Sequence, residues 1–310
     1  MQAFDPSVSL KSGTTFDPSN LAGKSVIITG GASGLGEQFA HDFVRHGAFV
    51  TIGDVNEANG RKVVEALGGE TKAAFVKCDV MSWSDQLKLF KTALSSSPSK
   101  SIDVVCANAG ISGQDDVFLD KTDGDGEPLE PDLSILNINT IGVMLTTKLA
   151  MHYLARKSEG SEGGGKCFIL TASLAGYLEL PGSPQYTASK FAVRGIMRSL
   201  RLTAPMKGVR VNLIAPWYIN TAIMSQAVVD KIQSKGIELA AKEDAGAAVL
   251  HLASDQSLSG RAVAIVTHDI DSRGYTDLGS LHVDDYDDQG GFLADLTRHV
   301  RGSGHRIGAK

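Results

Sequence analysis

A chain of 310 residues, 42% hydrophobic and 21% charged, can bury a substantial core and is not a disordered polypeptide. Its 34 glycines are aperiodic, which excludes collagen and silk, and a net charge of −5 with no dominant basic stripe argues against a nucleic-acid partner. The length suits one α/β domain of about 250 residues with extensions. Cys78, Cys106 and Cys167 show no C-x-x-C spacing. They read as buried reduced thiols, which places the chain in the cytoplasm. No apolar run reaches the ~18 residues of a membrane span. The first 20 residues carry Asp5, Lys11 and Asp17 without an apolar run, and read as an extension, not a signal or transit peptide.

In chain order, a strand is expected over 25–28 and a helix over 34–46, with Leu35, Phe39, Ala40 and Phe43 on one face. A second strand (49–53) and helix (57–67) follow, then a third strand (74–78) and helix (82–95). After a fourth strand (104–107) comes a polar, acid-rich loop (112–132), read as a solvated rim or else a lid. One long helix is expected over 133–156, a Glu/Ser/Gly loop over 158–165, a fifth strand over 167–171 and a helix over 186–204. A sixth strand (209–214), a helix (243–253) and a seventh strand (262–266) complete the alternation, and 268–310 reads as an irregular polar tail. Short strands alternating with helices make βαβ units. The expected fold is therefore α/β, a single doubly wound domain over 21–266 with a mostly parallel seven-stranded sheet. Residues 1–20 and 267–310 are read as N- and C-terminal extensions. In such a sheet, ligands bind beyond the carboxyl ends of the strands.

The first strand runs into Thr29-Gly30-Gly31-Ala32-Ser33-Gly34-Leu35-Gly36 and then a helix. Gly30 permits a tight turn, Gly34 lets backbone approach a pyrophosphate, and Gly36 lets helix and sheet pack closely. Backbone N–H groups of Ser33, Leu35 and their neighbours at a helix N-terminus then hold phosphates. The second strand ends at Asp54, where a carboxylate accepts hydrogen bonds from ribose hydroxyls and repels a 2′-phosphate. No Arg or Lys lies between Ser33 and Leu35 or directly after Asp54. Both features favour NAD over NADP. Asp79 and Val80, after the third strand, are candidates for the adenine. Asn108-Ala109-Gly110, after the fourth, lets a cofactor pass over the sheet.

Tyr186 and Lys190 are four apart at the start of a helix, so they project to one side. Ser173 follows the fifth strand. A phenol with a reference pKa of ~10 is a poor base at neutral pH. A Lys190 ammonium and a cationic nicotinamide ring both favour the phenolate and are expected to lower it. Tyr186 would then exchange a proton with a substrate hydroxyl or ketone, Ser173 would hold the substrate oxygen, and Lys190 the nicotinamide ribose. Asn139 is the candidate for a helix kink and for holding a proton-relay water, with Asn137 as its competitor.

Together these residues resemble the short-chain dehydrogenase/reductase family. The resemblance runs through Thr29–Gly36, Asp79, Asn108-Ala109-Gly110, Asn139, Ser173 and Tyr186-x-x-x-Lys190, in the family's order. It implies a single Rossmann domain and a catalytic tetrad of Asn139, Ser173, Tyr186 and Lys190. It also implies cofactor contacts from Pro216, Ile219 and Thr221, the last at the nicotinamide carboxamide, and a homodimer or homotetramer built on the two long helices. Within the family, 162–165, Ser173-Leu174-Ala175-Gly176 and the 211–221 stretch look most like NAD-dependent 15-hydroxyprostaglandin dehydrogenase-type members. The texture resembles fungal secondary-metabolism members. Two departures stand out: Trp217 replaces the family's usual glycine after Pro216, and Ile265-Val266-Thr267-His268 replaces a glycine-rich strand end.

Trp217, Tyr218 and Met224 after the sixth strand, with Leu174, Tyr177 and Gln185 beside the tetrad and Ser173 within it, are the candidate substrate contacts. Their apolar character points to a bulky, largely apolar secondary alcohol or ketone. No metal is expected: the 284–290 acidic run lacks a twelfth-position glutamate, and no H-E-x-x-H is present. The Arg298, Arg301, Arg306 and Lys310 cluster reads as a solvated tail. The competing readings are a ketoreductase running mainly in the reducing direction, a non-catalytic dinucleotide sensor or scaffold, and a sugar-nucleotide epimerase. The last normally needs a longer C-terminal domain.

Overall fold

The computed structural model describes residue 10 and residues 15–156 and 165–279. The 284–290 acidic run, the 298–310 basic cluster, nearly all of the 158–165 loop and most of the first 14 residues lie outside the described residues.

Strand β1 (Ser25–Thr29) leads into α1 (Gly34–Arg45), β2 (Phe49–Asp54), α2 (Glu57–Ala66), β3 (Ala73–Lys77), α3 (Trp83–Ser96) and β4 (Val104–Ala107). After a long connection come α4 (Ser134–Leu136), a π-helical turn (Asn137–Gly142) and α5 (Val143–Leu154). The second half holds β5 (Lys166–Thr171), α6 (Pro184–Leu200), β6 (Val209–Pro216), α7 (Gln226–Gln233), α8 (Lys242–Ser254), β7 (Ala262–Ile265) and β8 (Tyr275–Asp277). The sheet order is β3-β2-β1-β4-β5-β6-β7-β8, so the strand order reverses between β1 and β4 and opens a crevice at their carboxyl ends. This is a Rossmann-type α/β fold.

Burial follows strand periodicity. Val26 and Ile28 pack with Phe39 and Phe43 of α1 and Val249 and Leu252 of α8. Ile27, between them, faces Leu89 and Phe90 of α3, Leu149 and Tyr153 of α5 and Val193 and Met197 of α6. One helical layer therefore covers each face of the sheet. Local signals set the helix starts: Ser82 Oγ accepts from Asp85 N at 3.2 Å and Asn56 Oδ1 from Asn59 N at 3.1 Å.

The structure departs from the sequence reading in three places. The sheet has eight strands, because Tyr275–Asp277 pairs antiparallel with β7. That strand has three residues and only Tyr275 is fully buried, so no apolar alternation marks it. The 133–156 helix is interrupted by the π-helical turn, and α7 forms where no helix was expected.

Candidate active site

Gly30 leaves β1 with φ +67°, and its N–H donates to Gly53 O at 2.7 Å. An added Cβ would stand 2.7 Å from Ala109 Cα. Gly36 is tighter: a Cβ there would lie 2.1 Å from Gly30 O and 2.7 Å from Asn108 Nδ2. Gly34 has φ +58°, and Thr221 Cβ lies 3.3 Å from where its Cβ would be. The segment after β6 thus arches over the glycine turn. Ser33 is the N-cap of α1 and makes no capping bond with its side chain. The first-turn N–H groups of α1 are left without a side-chain acceptor from it, the donor set an anion requires. A cradle that any side chain would fill, open donors at a helix N-terminus and a carboxylate beside them fit a dinucleotide.

That carboxylate is Asp54. Its Oδ2 accepts from Ala32 N at 3.0 Å and its Oδ1 from Asn56 N at 2.9 Å, fixing the negative charge against the turn. Asp79 is exposed, with Oδ1 accepting from Met81 N at 2.8 Å, while Val80 is buried against Gly142. Asn108 is engaged in the scaffold. Its Nδ2 donates to Thr29 O at 3.1 Å and Gly30 O at 3.2 Å, and its Oδ1 accepts from Thr171 Oγ1 at 3.3 Å. It ties β1, β4 and β5 together beneath the crevice.

Gly110 opens the space beside Asn139 and Lys190: a Cβ there would be 3.0 Å from Asn139 Oδ1 and 3.6 Å from Lys190 Nζ. Lys190 is buried, donates to Thr171 O at 3.2 Å and lies 5.4 Å from the centre of the Tyr186 ring. Burial pushes its ammonium down to about 8. Burial also raises the Tyr186 phenol, and a hydrogen bond with Ser173 pulls it partly back. The expected lowering is therefore reversed in the protein alone, because desolvation of the phenolate outweighs the favourable contact. Ser173 caps the short helical turn Leu174–Gly176, with Oγ accepting from Ala175 N at 3.1 Å and lying 3.4 Å from Pro216 O. The structure thus brings Ser173, Tyr186, Lys190 and Asn139 together.

Asn139 sits in the π-helical turn, fully buried. Its Oδ1 accepts from Ile111 N at 2.8 Å, and its Nδ2 donates to Ile111 O at 2.9 Å and Ser189 Oγ at 3.2 Å. Both N–H donors are taken, so its side chain fixes the turn against the end of β4. Gln86 supports the same turn: it donates to Val80 O at 2.6 Å and Gly142 O at 3.0 Å, and accepts from Thr146 Oγ1 at 2.8 Å. Nothing in the polar sequence of α3 singled it out.

The substrate candidates divide. Leu174 is buried in the apolar cluster under α5 and α6 and is a packing residue. Ile219, expected as a cofactor contact, turns its side chain into the core on the other face. Tyr177 lies under the Arg194 guanidinium, 4.2 Å from ring centre to Cζ. Trp217, expected as a large indole at the active site, is half-buried against both core clusters, with Nε1 donating to Glu238 O at 3.2 Å. Tyr218 packs edge-on to it with centroids 4.7 Å apart. Its phenol is pushed up to about 12, by burial first and then by Tyr186, so the two phenols are electrostatic neighbours. Met224 is partly exposed, its N donating to Thr221 O at 3.1 Å. Gln185 spends its amide on Asp115 and Asp132. Asp115 is buried within a loop read as a solvated rim, and no local pattern distinguished it from its acidic neighbours.

Among the described residues, no group of three or more His, Cys, Asp or Glu could hold a metal, and no helix is long and apolar enough to cross a membrane.

Comparison with known proteins agrees with this geometry. The family profile described as short chain dehydrogenase matches residues 24–232. A 5'-hydroxyaverantin dehydrogenase of Dothistroma septosporum is 35% identical over 267 residues, 81% of this chain and 87% of its own. A second 5'-hydroxyaverantin dehydrogenase, from Emericella nidulans, is 35% identical over 237 residues, 73% of this chain and 76% of its own. Among solved structures, 3-ketoacyl-(acyl-carrier-protein) reductase from Brucella melitensis complexed with NADH superposes with a TM-score of 0.67 at 26% identity, covering 79% of this chain and 97% of that one.

Proposed function

This chain belongs to the short-chain dehydrogenase family, an oxidoreductase family, and on that premise we propose that it is an NAD-dependent dehydrogenase of a bulky, largely apolar secondary alcohol. The observation that carries the reading is the assembly of Ser173, Tyr186 and Lys190 beside Gly110, at the mouth of a glycine cradle. The cradle of Gly30, Ser33, Gly34, Leu35 and Gly36, with Asp54, Asp79, Val80, Asn108, Gly110, Pro216, Ile219 and Thr221 around it, would hold the dinucleotide. When bound, the cofactor supplies the hydride acceptor. NAD is favoured because Asp54 fixes a negative charge against the turn, where a 2′-phosphate would be repelled.

The chain's own residues do the rest. Ser173 holds the substrate oxygen. Tyr186 takes the hydroxyl proton as the alcohol becomes a ketone, and returns it in the reverse direction. Its phenol is raised by the protein, so Lys190 and the cationic nicotinamide together must favour the phenolate. Asn139 holds the π-helical turn against β4. An apolar substrate is supported by exposed Ile111 and Ile223, which flank the site from two segments joined by a bond from Ser112 Oγ to Ile223 O at 2.9 Å. Relatives named for a hydroxylated fungal metabolite support a place in secondary metabolism. Exposed Met144 of α5 and Phe191 of α6, with Ile141 in the turn before α5, support a homodimer or homotetramer through these helices, and three interior free thiols suit a reducing cytoplasm.

The test is NADH formation from a panel of secondary alcohols, run with NAD and NADP on the wild type and Tyr186→Phe. Turnover of bulky apolar alcohols with NAD is expected, lost about 10²- to 10⁴-fold in the variant with cofactor affinity kept. NADH binding with no turnover of any alcohol or ketone would establish the sensor reading instead.

A further inference from the structure

The catalytic helix α6 begins with Ser183 as N-cap, and Ser183 makes no capping bond with its side chain. The cap comes from elsewhere. Asp115, in the loop after β4, is buried, and its Oδ2 accepts from Gln185 N at 2.6 Å. Gln185 is the second residue of α6 and directly precedes Tyr186. A carboxylate at this position satisfies a first-turn donor and complements the positive end of the helix.

Gln185 returns the contact. Its Nε2 donates to Asp115 Oδ1 at 3.1 Å and to Asp132 O at 2.9 Å. The two acceptors lie at opposite ends of the acid-rich loop, so one amide closes it. Carboxylate and carbonyl oxygens only accept, so the NH2 must face them and the amide has one orientation. Its Oε1 is left buried without a partner among the described residues. The same loop reaches the segment after β6 through Ser112 Oγ and Ile223 O.

We propose that Asp115 and Gln185 are positioning residues for Tyr186: Asp115 caps the catalytic helix from the loop, and Gln185 staples both ends of that loop to the helix. The loop carrying Asp115 and the helix carrying Tyr186 are then held as one body. The inference rests on the dehydrogenase reading for its kinetic arm and on the fold alone for its second arm.

The experiment compares Asp115→Ala and Gln185→Met with the wild type. Asp115→Ala removes cap and staple, and kcat is expected to fall about tenfold to a hundredfold, the range of a lost charge-assisted hydrogen bond, with the NADH Kd within about twofold. Gln185→Met keeps the backbone N–H bond to Asp115 and loses only the staple. Its kcat is expected to fall several-fold, less than in Asp115→Ala, with the NADH Kd within about twofold. The second arm is amide hydrogen exchange over 184–188 in the cofactor-free protein, which is expected to speed up in Asp115→Ala and not in Gln185→Met. If Asp115→Ala does not fold, Asp115→Asn, which keeps an acceptor for Gln185 N, takes its place with a smaller effect of the same sign. Unchanged kcat and unchanged exchange overturn the proposal, as does a parallel loss of kcat and NADH affinity. If the wild type turns over no alcohol, the functional reading fails, and the exchange arm alone decides whether Asp115 orders the start of α6.

Discussion

Gly36→Ala tests the cradle most directly. In an ordinary helix this change stabilises by about 1 kcal/mol. Here the new methyl falls 2.1 Å from Gly30 O and 2.7 Å from Asn108 Nδ2, where real Cβ contacts essentially never come within 3.0 Å. Neither neighbour can give way cheaply. Gly30 is held to Gly53 O at 2.7 Å, and Asn108 bonds both Thr29 O and Gly30 O. The turn and the N-terminus of α1 must separate by roughly 1 Å. Overpacking of this kind costs about 1–3 kcal/mol, so the usual gain is cancelled or becomes a net loss of up to about 2 kcal/mol, up to several degrees in Tm. The same shift would move the first-turn N–H groups away from where they are proposed to meet the cofactor's phosphates. Losing one charge-assisted hydrogen bond weakens NADH binding about tenfold to a hundredfold. Both effects are read by an NADH fluorescence titration and a thermal melt. Gly113→Ala is the control: it is exposed, nothing lies within 4 Å of its Cβ position, and it should stay within about 0.5 kcal/mol of the wild type. A Gly36→Ala protein that melts higher than the wild type and binds NADH equally well would show that the turn does not need its glycine.

Two pH predictions follow from buried bases. Lys190 falls to about 8 by burial, against about 10.4 for an unfolded lysine, so the unfolded chain binds more protons between these values. Stability from this group therefore rises as pH climbs from 8 to 10.4, by about 3 kcal/mol in all, and Lys190→Met should flatten that part of the Tm–pH curve; an unchanged slope would count against a buried ammonium. His251 is held neutral by burial, stacks on Phe16 with centroids 4.6 Å apart and bonds Tyr275 Oη at 3.1 Å. Its folded pKa lies below the unfolded ~6.5, so its contribution is complete above that value and lost as pH falls through it. His251→Phe should lose less stability than the wild type between pH 7 and 5, and equal losses in the two melts would exclude His251 as the source.

Most of the sheet was legible because its signals are local. Val26-Ile27-Ile28 and Val104-Val105 are β-branched and apolar, and each run ends where a turn residue must stand. β8 was not legible, since a three-residue edge strand exists only through its bonds to β7. Leu174 was read from its place near the tetrad and Ile219 from its place before Thr221, but a sequence position does not say which face of a turn a side chain takes. The raised Tyr186 phenol was missed for a related reason: charge partners can be counted in a sequence, but desolvation cannot.

The sequence by itself determined the α/β alternation, the glycine turn with its acidic partner at Asp54, and the identity of the groups that meet at the site. Each rests on short-range chemistry: what φ a residue tolerates, how often apolar residues recur, which groups carry a proton. Only the tertiary structure decided that Asn139 spends its donors on Ile111 and Ser189, that Trp217 lies against the core, and that Asp115, 70 residues before Gln185, accepts from the first turn of α6. A hydrogen bond forms where two chain segments meet, and burial is set by everything packed around a residue. Neither quantity exists until the chain has closed on itself.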